Sequence, residues 1–226
     1  VLDIACYYGT CVTGRRPEGL GLSVATGGTS SGRLLAVMAQ LEAASVSAFT
    51  HLARELRAHG APGELEARAL DASRDEVRHA RTVSRLARRH GARVPKVRGE
   101  RQRVRALEDI AVENAVEGCV RETFGAAVAM VQAQTARDAS VREAFARIAV
   151  DETRHAELAW AVAEWLDTRL SPEERDRVRR ARARAAAELI ESTSRRSDAE
   201  TMKDLGLPAP AHARAMAREL HASLWS

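Results

Sequence analysis

The chain has 226 residues, 45% of them hydrophobic and 29% charged, which is the balance of a globular protein with a real core and excludes a disordered one. Aromatic residues make up only 4%, and the good helix formers Ala, Arg, Glu and Leu dominate, so an all-α fold is expected and a β-sandwich or barrel is excluded. The formal charge is +4, and only Lys96 and Lys203 among 35 basic residues are lysines. That skew reads as a coding bias and not as a sign of a nucleic-acid partner.

Residues 1–32 carry seven glycines and no helical period, which predicts an irregular lead-in. Ser30 or Ser31 can cap a first helix over about 32–59, with Leu35, Met38, Ser45, Phe49, Leu52 and Leu56 as its stripe. Gly60-Ala-Pro-Gly63 is a turn. A second helix follows over about 64–90, with Leu65, Ala69, Ala72, Val83 and Leu86 on one face, and Gly91 closes it. Residues 91–104 hold glycines and Pro95 and form a basic connection.

A third helix is expected over about 104–136, with Ile110, Val120, Phe124, Val128 and Val131 in register. A fourth is expected over about 140–169, with Phe145, Ile148, Ala159, Val162 and Leu166. Ser171-Pro172-Glu-Glu174 starts a fifth helix, highly charged and expected on the surface. Gly206 and Pro208 break the chain before a last helix over about 209–225, with Ala213, Met216, Leu220 and Leu224 as its docking stripe. This divides the chain into a lead-in (1–32), a helical bundle (33–170) and a C-terminal helical extension (171–226). The longest apolar runs, such as 34–39 and 124–131, are too short for a membrane span.

Acid interrupts each of the four long stripes. Glu42 lies between Met38 and Ser45, and Glu76 with His79 between Ala72 and Val83. Glu117 lies between Ile110 and Phe124, and Glu152 with His155 between Ile148 and Ala159. Unpaired carboxylates on a core face would cost several kcal/mol each, so positive charge must sit among them. No Lys or Arg shares those stripes. Two divalent metal ions would balance four carboxylates.

The spacing is specific. Glu-x-x-His puts both side chains on one helix face, one turn apart. It occurs twice, as Asp75-Glu-Val-Arg-His-Ala80 and Asp151-Glu-Thr-Arg-His-Ala156, with five of six positions identical. Glu42 precedes Phe49 by seven residues, as Glu117 precedes Phe124; Glu42 to Glu76 is 34 residues and Glu117 to Glu152 is 35. The pattern is that of a duplicated helical hairpin, each copy supplying one Glu and one Glu-x-x-His.

On these residues, 33–170 resemble the ferritin-like superfamily, especially its rubrerythrin-like and bacterial oxygenase members with a D-E-x-R-H motif. The resemblance implies a four-helix bundle with a long crossover between helices two and three. Fourteen extended residues reach about 46 Å, enough for the return of roughly 40 Å. By resemblance, Glu76 and Glu152 would bridge two metals, Glu42 and Glu117 would be terminal ligands, and His79 and His155 would give one nitrogen each. Asp75 and Asp151 resemble outer acids that orient a ligand histidine across the bundle. The ligands suit two iron ions or manganese.

For Glu117 the rivals are Glu113, one turn earlier on the same face, and Glu122, which points elsewhere; the repeat favours Glu117. Glu113 and Asn114 are candidates for the surrounding layer. Arg78 and Arg154 read as outer salt-bridge partners. Phe49 and Phe124 read as core or as walls of a substrate cavity, and Cys119 as a buried inert thiol. His51, His59, His90, His212 and His221 show no ligand spacing and are expected in solvent.

The implied activity is that of a non-haem di-iron oxidoreductase reacting with dioxygen or peroxide. Tyrosine occurs only at Tyr7 and Tyr8, outside the bundle, against a tyrosyl-radical generator. No Cys-x-x-Cys pair is present, so electrons would come from a separate donor. A ferroxidase or iron-storage protein and a tRNA-modifying di-iron hydroxylase are the alternatives. From Arg85 to Arg105 there are nine basic residues and one acid, a surface for an acidic partner or a solvated loop. A homodimer stays open. So does the state of Cys6 and Cys11, paired or free. A cytoplasmic location is the expectation; the start at Val1 leaves an exported mature form as the alternative.

Overall fold

The computed structural model describes Arg15 and residues 20–97, 103–193 and 198–225. Cys6, Cys11, Tyr7, Tyr8 and part of the basic connection lie outside the described residues. Among those described, the chain is helical throughout, with no strand and one isolated bridge between Thr26 and Arg93. No described helix is long and apolar enough to cross a membrane.

Two long helices come first, α1 (Ser30–Ala58) and α2 (Gly63–Arg89). The turn between them is so short that they must pack antiparallel. The third rod is broken in character. It runs as α3 (Leu107–Glu113), a π-helical stretch (Asn114–Glu122) and α4 (Thr123–Thr135). A tight turn leads to α5 (Ala139–Asp167), and then come α6 (Pro172–Ser192), α7 (Ala199–Leu205), α8 (Pro210–Leu220) and a last π turn (His221–Trp225).

Capping follows the chemistry of the sequence with one change. Thr29, and not Ser30 or Ser31, caps α1, its hydroxyl accepting from the Gly32 amide at 3.1 Å. Ser171 and Glu174 form the reciprocal capping box of α6, with Pro172 in its first turn. The lead-in is pinned to the end of α2. Gly28 sits at φ +66°, and a Cβ there would lie 2.3 Å from the His90 carbonyl oxygen, so only glycine fits this approach.

The long connection returns the chain to the far end of α1. Glu55, fully buried, accepts from the Arg105 amide at 3.0 Å and from its guanidinium at 2.8 Å twice. His59 meets the Arg105 carbonyl at 2.8 Å. The third rod therefore starts beside the end of α1 and runs parallel to α2, and α5 runs back antiparallel to it.

The core has three parts. Leu34, Leu35, Leu41, Val83, Phe145 and Ile148 fill one end of the bundle, and Phe49, Leu52, Leu56, Ile110, Leu158 and Val162 the other. A third cluster joins Val120, Phe124 and Val128 to the C-terminal helices through Ala185, Ala186, Leu189, Ala213, Ala217 and Trp225. So α6 is not a purely surface helix: small residues at helical spacing bury one face against the third rod. Leu224, expected to dock, is 42% exposed; Trp225 is buried instead and donates its indole N–H to the Cys119 carbonyl at 2.8 Å. A π turn shifts which side chain faces inward, which is why the α-helical stripe misplaced the anchor.

Candidate metal centre

Three helices bring acids inward from otherwise apolar faces. Glu42 comes from α1, Glu76 and His79 from α2, and Glu152 and His155 from α5; all five are buried. Glu42, Glu76, His79 and Glu152 each offer one ligand atom, and these atoms all lie within 4.8 Å of one another. They form a buried group that could hold a metal ion.

The carboxylates differ in what they reach. Glu76 lies 3.7 Å from His79 Nδ1 and 3.2 Å from His155 Nδ1. Glu152 lies 3.3 Å from His79 Nδ1 and 3.8 Å from His155 Nδ1. Both therefore stand between the two histidines, whose ring centroids are 5.8 Å apart. Glu42 approaches only His79, at 3.6 Å.

The two repeats complete each other across the bundle. His79 Nε2 faces Asp151 at 3.0 Å, and His155 Nε2 faces Asp75 at 3.4 Å. Each ring is thus held by the aspartate of the opposite repeat, which leaves both Nδ1 atoms directed at the carboxylates. Arg78 pairs with Asp75 and Arg154 with Asp151 on their own helices. Each also reaches across, Arg154 to Asp75 at 3.2 Å and Arg78 to Asp151 at 3.5 Å. Both arginines are more than half exposed, so they close the outside of the cluster without entering it.

Burial and mutual charge set the electrostatics of the group. Burial, and then the neighbouring Glu76, pushes the Glu42 carboxyl well above its ordinary range. Burial opposes the ionised form of Glu76 too, but the neighbouring His155 and His79 pull it down to about 2. Both histidines are driven upward by the surrounding carboxylates against the cost of burial. Even so, Glu76 Oε2, His79 Nδ1 and His155 Nδ1 are buried with no hydrogen-bond partner. Orphaned oxygen and imidazole donors converging on one spot fit a divalent transition metal.

The third rod departs from expectation. Gly118 packs on α5 so closely that a Cβ would lie 2.7 Å from the Ala159 Cβ. Asn114 donates to the Ala159 carbonyl at 2.8 Å, and Trp160 donates to Thr123 at 3.2 Å. Ala159 is seven residues past Glu152, about 10.5 Å along the helix. Glu117, next to Gly118, is buried, pairs with Arg121 at 3.0 Å and is not among the four converging ligands.

Glu113 and Asn114 share one partner. Both hold Arg15, which the lead-in inserts with 1% exposure: its Nε lies 2.9 Å from Glu113 and its Nη2 2.6 Å from Asn114 Oδ1. Its guanidinium lies 5.4 Å over the Phe49 ring. Phe49 in turn packs on His155 at 5.0 Å between centroids, whereas Phe124 belongs to the C-terminal cluster.

Glu122, read from an α-helical period as pointing elsewhere, is 1% exposed, and neither of its oxygens has a hydrogen-bond partner. Burial pushes its carboxyl up to about 8, opposed by Arg15 and His155 and reinforced by Glu152 and Glu76. It therefore lies in the field of the cluster. A π helix bonds i to i+5, so an α-helical period misjudges which way residues along it point.

Cys119 is a buried free thiol whose pKa burial pushes up to about 12. His51 is buried, not solvated: it pairs with Glu55 at 2.9 Å. His90 pairs with Asp138 at 3.2 Å. No family model, no curated protein and no solved structure matches this chain.

Proposed function

We propose that this chain is a di-metal carboxylate oxidoreductase built on a ferritin-like bundle. The observation that carries the reading is the mutual completion of two Glu-x-x-His repeats. Glu76 and Glu152 stand between two histidines, and each histidine is braced by the other repeat's aspartate.

Glu42 and His79 would hold one metal and His155 the other, with Glu76 and Glu152 shared. Glu122 is the carboxylate we assign to the His155 side, in the place the sequence repeat gave to Glu117. Bound iron, or manganese, would supply redox chemistry toward dioxygen or peroxide. The protein's part is to orient and to exclude water. Asp75 and Asp151 keep the proton of each imidazole on Nε2, so that Nδ1 is the donor. Phe49 covers His155 from the bundle interior. Electrons come from a separate donor.

Elemental analysis of the full chain after Fe(II) or Mn(II) loading is expected to give two ions per chain. The variant E76A/E152A should hold none while keeping its helical circular dichroism. Two ions retained by that folded variant would overturn the ligand set. Two ions bound without any spectral change of the iron form on admission of oxygen or peroxide would overturn the redox reading alone.

A further inference from the structure

On the outer side of the α1–α2 pair is an open groove of about 600 Å³. Ala39, Ala43 and Ala80 make its floor. Val94, Pro95 and Val97, from the connection after α2, wall it. Arg81, Arg85 and Arg88 stand along its α2 edge, and Lys96 rises from the wall. Spacings of four and three residues put the arginines on successive turns of one helix face. All four cations are exposed.

Several surface arginines are neutralised by a carboxylate on their own or a neighbouring helix. Arg74 pairs with Asp71, Arg147 with Glu143 and Arg177 with Glu108. Among the described residues no carboxylate pairs with Arg81, Arg85, Arg88 or Lys96, and Arg85 reaches only the Thr82 hydroxyl at 3.4 Å. The cause is in the sequence: α2 has no acid after Glu76. The helix dipole favours cations in the last turn, which accounts for Arg88 but not for Arg81.

Shape and chemistry narrow the ligand. The volume falls in the range of about 300–1,000 Å³ typical of small-molecule sites. The floor is apolar and made of small side chains, so it offers flat contact, and the Ser84 hydroxyl also lines the groove. No aromatic residue lines the groove, which removes the stacking platform a nucleic-acid strand would use. An apolar floor beside a row of uncompensated guanidinium groups matches a molecule with the same two parts.

We propose that this groove binds an amphipathic anion, its apolar body on the alanine floor and one carboxylate or phosphate on the arginine row. The assignment is independent of the metal centre. The two sites nevertheless share a wall: Ala43 follows Glu42 and Ala80 follows His79, so the same helical turns face the groove on one side and the cluster on the other.

Calorimetric titration of the full chain tests it with decanoate, decyl phosphate, decanol, inorganic phosphate, and vesicles carrying phosphatidylglycerol. One of the two anionic amphiphiles should saturate at one per chain, with decanol and inorganic phosphate weaker by about tenfold or more. R81Q/R85Q/R88Q should weaken the anionic amphiphile by at least about tenfold and leave decanol unchanged. Ala43→Leu, which fills the floor, should weaken both amphiphile and alcohol. Equal affinity in the triple variant, or inorganic phosphate binding as tightly as the amphiphile, would overturn the proposal. So would binding to vesicles without binding to the free amphiphile, which would make the groove a membrane-surface contact. Absence of binding to any probe also overturns it.

Discussion

This bundle buries carboxylates in two places and treats them oppositely. Glu55, fully buried at the end of α1, receives a guanidinium and a backbone amide from Arg105. Despite burial, those bonds hold its carboxyl below the usual range. Glu42, Glu76 and Glu152, also on core faces, meet two histidines and no arginine, and they leave donor atoms orphaned. One site carries its counter-charge in the chain. The other meets its acids with imidazoles alone and leaves buried donor atoms without partners, and that difference marks the second as the place that could take a metal ion.

The comparison breaks first at Arg105. Removing one partner of a buried pair strands the other, so Arg105→Ala should destabilise the fold by about 3–5 kcal/mol in denaturant titration. Metal content should be unchanged in conditions where the variant is folded. A loss of metal equal to that of the E76A/E152A variant would mean the two regions are not separate.

Acid should sharpen the same contrast. The Glu55 carboxyl is depressed in the folded state, so its contribution is present above the unfolded value near pH ~4.3 and is lost as pH falls through the folded value. Arg105→Ala should flatten the stability profile over that acid window. A wild-type slope persisting in the variant would assign the acid sensitivity elsewhere.

The smallest change separates Glu122 from Glu117. Glu122→Ala should lower the loaded metal content from two ions to about one, while Glu117→Ala keeps two; elemental analysis reads both. Glu122→Leu should also stabilise the metal-free chain, because a buried carboxyl without a hydrogen-bond partner costs about 1–3 kcal/mol. Metal loss in Glu117→Ala and not in Glu122→Ala would restore the repeat-based assignment.

The two Asp-Glu-x-Arg-His-Ala segments were legible because their chemistry is local. A three-residue spacing on a regular helix dictates which face carries both side chains. The facing third rod was not legible in the same way. Its π-helical stretch changes the angular step per residue, so an α-helical period could not say which way Glu117 and Glu122 point; Glu117 pairs with Arg121, and Glu122 is buried. Arg15 was invisible for another reason: it is separated from Glu113 by 98 residues in a stretch with no helical period.

By itself the sequence determined the helices, their approximate ends, and the pairing of each Glu with a His one turn on, since these follow from backbone periodicity and capping over a few residues. Only the tertiary structure decided which Asp braces which His, where Arg15 and Arg105 place their charge, and that the third rod carries a π-helical stretch. Those depend on the register between distant helices, and a single π turn is enough to reset it.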